Sequence, residues 1–189
     1  LAQLSARRNA LEELERDRVG LAPGAAALIA ARDQFGGAVL GPLSDFVRTS
    51  REDAELAERL LGEWIHAVLV SDQAAVASIQ EWHRREQPGA IALLPVAGQL
   101  GERTAPSPLG ERLWASDPAA AWVQALLSGS EVIDPAGRSI RRPNGAILLA
   151  GAPSPSGPLR RRAELESLAN EVAEAQVDAR GLDHAGIPR

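Results

Sequence analysis

Both ends of this chain are charged and carry apolar residues at helical spacing, and the strand-like apolar runs lie between them. At the start, Leu4, Leu11, Leu14, Leu21 and Leu28 recur. With Leu4 as heptad position a, Leu11, Arg18 and Ala25 follow at a, and Leu14, Leu21 and Leu28 fall at d. Arg7 and Arg18 break that seam. At the far end, a helix read from Leu159 to about Arg180 puts Leu165, Val172 and Ala179 at a, with Leu168 and Ala175 at d. If the segment between begins and ends at one place, the two helices must run antiparallel, as a hairpin coiled coil. For the first helix the competing reading is a single amphipathic helix on a globular surface. The chain then divides into an incoming arm with its lead-in helix (1–34), an insert (35–157), an outgoing arm (158–180) and a patternless tail (181–189). The expected class is a small α/β (α+β) domain inserted between two antiparallel coiled-coil helices.

Phe35 to Val70 organises the insert. Before it, Pro23-Gly24 interrupts the incoming arm, Ala25 to Gln34 restarts as a short helix, and Gly36-Gly37 stops it. Ala38 to Leu40 reads as a strand, Gly41-Pro42 as a turn, and Leu43 to Val47 as a helical turn or extended chain. Ser50 is placed to cap a helix whose apolar face is Ala54, Leu56, Ala57, Leu60 and Leu61, with Glu52 and Asp53 near its positive end. Gly62 ends it. Ile65 to Val70 is a continuous apolar run, hence a strand buried on both faces. Asp72 caps a helix through Glu86, with Val76, Ile79 and Trp82 on one side. Ala90 to Leu94 is a third buried strand. Strand, helix, strand, helix, strand predicts parallel pairing with right-handed crossovers.

The second half is turn-rich. Gly98 to Ser116 reads as a surface loop with an extended piece at Leu113-Trp114. Asp117-Pro118 opens a helix, Ala119 to Leu127. Glu131 to Ile133 and Ala146 to Leu149 read as strands, with turns at Asp134 to Gly137 and Pro143 to Gly145. Gly151 to Pro158 is a Pro/Ser/Gly linker.

Composition excludes several classes. A net charge of −5 argues against a general nucleic-acid coat, though not against a local basic patch. There are no cysteines, so disulfides and thiolate metal sites are absent, which fits a reducing compartment. No apolar run approaches the ~20 residues that cross a bilayer, and no signal-peptide pattern is present. All 20 basic residues are Arg. Without Lys there is no Walker A loop and no Schiff-base chemistry. The chain has no Met and starts at Leu1, so it reads as a piece of a longer protein.

The stretches RDRVGLAPGAAALIAA, GGAVLGPLSDFV, HAVLVSDQAAVASI, AIALLPV, EVIDPAGRSI, GAILLAG and PLRRRAELESLANEV, in that order between two arms, resemble the hinge of structural maintenance of chromosomes (SMC) proteins. The resemblance covers nearly all of the chain before Gly181. It implies a two-part α/β hinge that dimerises, and a long ATPase with distant heads that acts in chromosome condensation and segregation, cytoplasmic and associated with the nucleoid. One departure stands out. The family has a further strand-helix unit and a glycine cluster in its second half, whereas here Leu127 passes almost directly into Glu131. Gly137, Gly145 and Gly151 are candidates for the glycine role, at spacings that match poorly. The second half thus looks abbreviated, and a single-interface dimer replaces the usual two-contact ring as an option.

Nothing in the residues points to catalysis. His66, His83 and His184 have no metal-ligand spacing, and no nucleophile elbow occurs. Asp72 follows a strand as a nucleotide-site Asp would, but without a phosphate loop it reads as a helix cap. No cofactor, membrane contact or small-molecule substrate is expected. The leading reading is a homodimerising hinge, its contact made by Ile147, Leu149, Gly137, Gly145 and Gly151 through strand pairing or close backbone approach. The alternative is an Arg-based, non-specific DNA-binding module using Arg160, Arg161 and Arg162 with Arg138, Arg141 and Arg142, in which dimerisation is incidental. Three Arg at a helix start oppose its dipole, and that unfavourable placement favours a binding role for them. The tryptophans read as core residues rather than base-stacking platforms, with Trp114, in a loop, the one to check. A small-molecule-binding α/β domain is a third class, for which the sequence offers no convergent polar groups.

Overall fold

The structure, a computed structural model, describes residues 2–97, 113–133, 139–143, 145–149 and 157–184, with the side chains of the last segment through 177. The predicted loop 98–112, the 134–137 turn, Arg138 and the linker 151–156, with its Gly151, lie outside the described residues.

The incoming helix α1, Ala2–Arg16, ends in a turn at residues 17–20, where Arg18 and Gly20 have positive φ. The heptad reading fails here. Arg18, assigned to the seam, sits in the turn, and Leu14 is exposed. Helix α2, Pro23–Ala30, follows at once. Pro23 opens it rather than breaking a longer helix, since its missing N–H falls where no helical partner exists. Gly24 is buried because α2 packs hard on the irregular segment 87–92: a Cβ there would lie 2.5 Å from the Ala90 carbonyl oxygen.

Strand β1, Val39–Pro42, pairs antiparallel with β3, Val68–Val70, and β3 pairs parallel with β4, Leu93–Pro95. The all-parallel expectation is therefore half right. The crossover rule applies to a strand-helix-strand unit within one sheet, and only β3, helix α4 (Gln73–Glu86) and β4 form one. After β1, a 3-10 turn at Leu43–Asp45 leads into β2, Val47–Arg48, which leaves for a separate ribbon with β5, Trp114–Ala115. Helix α3, Ala54–Leu61, then returns the chain, through a 3-10 turn at Gly62–His66, for an antiparallel β3. Ser50 is not the cap of α3. Its hydroxyl accepts the Asp53 N–H at 3.1 Å, closing the turn before a helix that starts at Ala54. Asp72 does cap α4, its Oδ1 accepting the Ala75 N–H at 2.8 Å.

β3 is buried on both sides, and its side chains divide two cores by strand alternation. Val68 and Val70 face Leu28, Val39, Ile79 and Trp82, with Phe35 edge-on to Trp82 at a centroid distance of 6.0 Å. Leu69 faces Leu43, Val47, Leu60, Leu61 and Leu94. That second core also takes Val123 and Leu127 of α5 (Ala120–Leu127), Ile140, and Leu159 of the exit helix, so the second half and the exit helix are seated on the same apolar centre.

The last sheet is an antiparallel meander of β6 (Glu131–Val132), β7 (Ser139–Arg141) and β8 (Ile147–Leu149). The exit helix α6 runs Pro158–His184, past the expected end and into the segment read as a tail. Leu168 and Val172, two of its predicted seam residues, are buried. The two terminal helices lie together in opposite order: Arg7 pairs with Glu164, whereas Glu15, further along α1, pairs with Arg161 and Arg162.

Candidate functional site

Two places stand out, the start of α6 and the edge formed by β8. At the first, the helix begins without a capping side chain of its own. Gly157 is the residue before the helix, its carbonyl accepting the Arg161 N–H at 2.9 Å, and Pro158 has no N–H. The first donors in need of partners are Leu159 and Arg160. Glu58 of α3 supplies the acceptor, its carboxylate taking the Arg160 N–H at 2.9 Å and that of Leu159. Burial pushes this carboxyl above its ordinary value, opposed by those N–H groups and by the charges of Arg160 and Arg161. A negative group here also balances the helix dipole that the arginines oppose.

The three arginines do not form an open basic patch. Arg161 is 5% exposed; its Nε donates to Glu15 at 3.2 Å and its guanidinium to the Val19 carbonyl at 2.8 Å. Arg162 reaches Asp45 at 3.0 Å, and also Glu15 and the Ser44 carbonyl. Arg18 meets the other oxygen of Asp45 at 3.0 Å. Arg160 is partly exposed, 3.6 Å from Glu55. Two carboxylates thus hold three guanidiniums, and the cluster ties α1, the turn after it, the Leu43–Asp45 turn and α6 into one junction. Glu15, Asp45 and Glu58 escaped sequence reasoning. The one signal was the unfavourable Arg triplet itself, which demands acids but does not say which.

Of the remaining predicted arginines, Arg142 is also engaged inside. It donates to the Leu60 carbonyl at 2.8 Å and to Ser130 at 3.3 Å, locking the end of β7 onto α3. Arg141 is on the surface, paired with its cross-strand neighbour Glu131 at 2.8 Å.

His66 borders a small polar cavity at the junction, shared with Glu15, Arg18, Asp45 and Arg161. Its volume, about 20 Å³, suits a single water. The Nδ1 atom of His66 is buried with no protein partner, and burial lowers its pKa, opposed by Glu63. His83 meets the Gly89 carbonyl at 2.7 Å beside an open apolar groove lined by Val76, Ile79, Ile91 and Leu93. No group of three or more metal-ligating side chains occurs among the described residues. Nor is any described helix long and apolar enough to cross a membrane.

The second place is β8. Its pairing to β7 leaves the other side of the strand without a neighbour among the described residues. Ile147 is 56% and Leu149 is 74% exposed, with Leu148 exposed as well. Gly145 has positive φ in the β7–β8 turn, and open space surrounds the position a Cβ would take. Gly137 and Gly151 fall outside the described residues. The edge of β4 is different. Pro95 offers no N–H, and its carbonyl is taken by the Trp122 indole at 3.0 Å. Trp82 is buried, whereas Trp64 and Trp114 are exposed. Trp64 and Trp114 thus depart from the core reading, Trp114 on β5 at the extended piece expected there.

No protein-family model matches the sequence, and no curated protein matches it. Solved structures do. An asymmetric dimer of the Geobacillus stearothermophilus SMC hinge domain is 22% identical, with 97% of this chain and 86% of that chain covered at a TM-score of 0.76. The Pyrococcus furiosus SMC hinge domain is 16% identical over 80% of this chain and 91% of that one, at 0.56. The Pyrococcus furiosus Smc hinge with an extended coiled coil is 18% identical over 97% and 84%, at 0.53. The chain has the SMC hinge fold, a mixed helix and strand fold with small sheets.

Proposed function

We propose that this chain works as a hinge, a non-catalytic module that joins two helical arms and associates with a second copy of itself through β8. The carrying observation is the contrast between two of the sheet edges, those of β4 and β8. β4 is closed by Pro95 and Trp122, while β8 presents three exposed apolar residues and a side with no strand neighbour among the described residues. An exposed apolar edge of this kind templates strand pairing, and one structure of the same fold is an asymmetric dimer. Association through β8 alone would make a single-interface dimer. In a full-length protein of this kind, distant ATPase heads would supply the energy for acting on chromosomes in the cytoplasm.

Light scattering across micromolar concentrations tests this. The expected mass is twice that of the chain. Ile147→Asp and Leu149→Asp should each give a folded monomer, because a buried charge at a strand contact has no partner. A dimer unchanged by both substitutions refutes the interface.

A second reading is contact with DNA at the helix junction. It is supported by the run of three arginines, Arg160 to Arg162, at the start of α6. Such contact would be independent of sequence and weakened by salt. The partly exposed Arg160 and Arg141 are the residues of the predicted set best placed to begin it.

A further inference from the structure

The small cavity beside His66 has walls of unequal strength. The ring is fixed in place, because Ile65 and Ala67 on either side of it are buried. One wall is the turn Leu43–Asp45, which supplies Ser44 and Asp45, and another is the start of α6, which supplies Pro158 and Arg161. Both are anchored, since Leu43 and Leu159 lie in the core. The third wall is the end of α1 and the turn after it, residues 15 and 18–21. There Val19 and Gly20 are exposed, and α1 has no buried residue from Ala2 to Arg16. The ties on this side include the ion pairs of Arg7 with Glu164, Glu15 with Arg161 and Arg162, and Arg18 with Asp45, besides the bond from Arg161 to the Val19 carbonyl. Opening begins where burial is least, so this wall yields first.

We propose that His66 is a proton-operated latch: neutral, it lets the end of α1 seat over the cavity; protonated, it releases that end from the body. A neutral ring needs only a donor at the buried Nδ1, and a space of about 20 Å³ holds one water for that. A charged ring donates from both nitrogens and has to be hydrated. The groups that face it offer little relief. Glu15 from α1 and Asp45 from the Leu43–Asp45 turn are already engaged by guanidiniums, and Arg18 and Arg161 carry the same sign of charge as the ring would. Glu58 faces Arg160 and Arg161 as the cap of α6 and is held by the N–H groups there. Glu63, on the turn that carries His66, favours the charged form, but burial outweighs it and holds the pKa below 6.5. Water reaches the ring once residues 15–21 lift. By linkage, whatever unseats α1 must return the pKa of His66 toward 6.5. The latch needs neither association through β8 nor contact with DNA.

Two measurements over one pH series test it. The chain lacks cysteines, so Ala10→Cys and Ala77→Cys place spin labels uniquely on exposed positions of α1 and α4. Labelled protein is mixed with an excess of unlabelled protein, so that only distances within one chain are read. The ring signals of His66 are followed by NMR. As pH falls below 6.5 the label distances should broaden with the same midpoint as the ring, and His66→Gln should abolish the change. Arg7→Gln removes a tie to α6 about two helical turns before Glu15. It should broaden the distances at neutral pH and move the His66 midpoint up toward 6.5, a shift that a purely structural histidine would not show. Each unit of that shift corresponds to about tenfold in the ratio of lifted to seated α1. Amide exchange in β3 reports whether the body stays folded. Titration of His66 with unchanged distances overturns the proposal, and so does a change that persists in a folded His66→Gln protein. If His66→Gln unfolds the body, the two midpoints in the protein with His66 intact decide, and their disagreement overturns it. A His66 midpoint that stays put although Arg7→Gln has loosened α1 overturns it as well.

Discussion

The Glu58 carboxylate accepts the backbone N–H of Arg160 at 2.9 Å, and so α3, in the middle of the body, caps the exit helix 102 positions away. The direction in which α6 leaves is set by this bond and by the seating of Leu159 in the core. The cap has a cost, because burial raises the carboxyl above 4.5. A raised acid is favoured in its protonated form by folding. Its contribution to stability is thus full below 4.5 and declines as pH rises through the folded value. Glu58→Gln keeps an acceptor and removes the charge, so at pH 7 it should be neutral or stabilising and should flatten that decline. Glu58→Ala removes the acceptor and should cost about 1 kcal/mol. Urea unfolding from pH 4 to 8 separates the two; a Gln variant as damaged as the Ala variant would show that the charge itself is needed.

Gly157 belongs to the same device. A Cβ there would overlap the Glu58 carboxylate. Glu58 can swing aside, but only by releasing the N–H groups it caps. Gly157→Ala should therefore cost about as much as losing the cap, about 1 kcal/mol. In a Glu58→Ala background the same substitution should cost far less. A double-mutant cycle measures the difference; strict additivity would mean that Gly157 matters for another reason.

His66 gives the junction a dependence on pH of opposite sense. Burial lowers its pKa below 6.5, with Glu63 opposing, and the charges around its cavity are Glu15, Arg18, Asp45 and Arg161. A base lowered in this way is favoured neutral by folding. Its contribution is full above 6.5 and is lost as pH falls from there toward the folded value. Stability should drop as pH falls below 6.5, and His66→Gln should remove that part of the slope. Thermal melts at several pH values would settle the matter, an unchanged slope in the variant assigning the loss to other groups.

What was legible in the sequence was local or continuous. The apolar run ending at Val70 announced a strand buried on both faces because both of its faces are core, and Asp72 announced a helix start because capping acts over three residues. β8 was legible from its apolar run and the Gly145 turn. The direction of β1 was not, because it depends on where β2 goes after Pro42, and that is fixed by pairing with Ala115 and Trp114. The partners of the Arg triplet were beyond reach for the same reason. Glu15 lies 146 positions from Arg161, and nothing local distinguishes it from Glu12 or Glu13. The α1 leucines gave a mixed signal: Leu4 and Leu11 are half-buried, whereas Leu14 has the right spacing for a seam but is exposed.

The contrast between sheet edges can be tested from the closed side. Trp122 donates to the Pro95 carbonyl, which would otherwise be an unpaired acceptor at the edge of β4. Trp122→Phe keeps most of the ring and removes the donor. A buried acceptor left unsatisfied costs about 1–3 kcal/mol. This one is only partly buried, so the cost should be the low end of that range or less, and the melting temperature should fall accordingly. The mass in solution should not change if β8 carries the association, because Pro95 still denies β4 an N–H for strand pairing. A new, larger assembly would show that the indole had been guarding this edge. Conversion to monomer would show that self-association runs through β4 and Trp122, and would count against β8 as the contact.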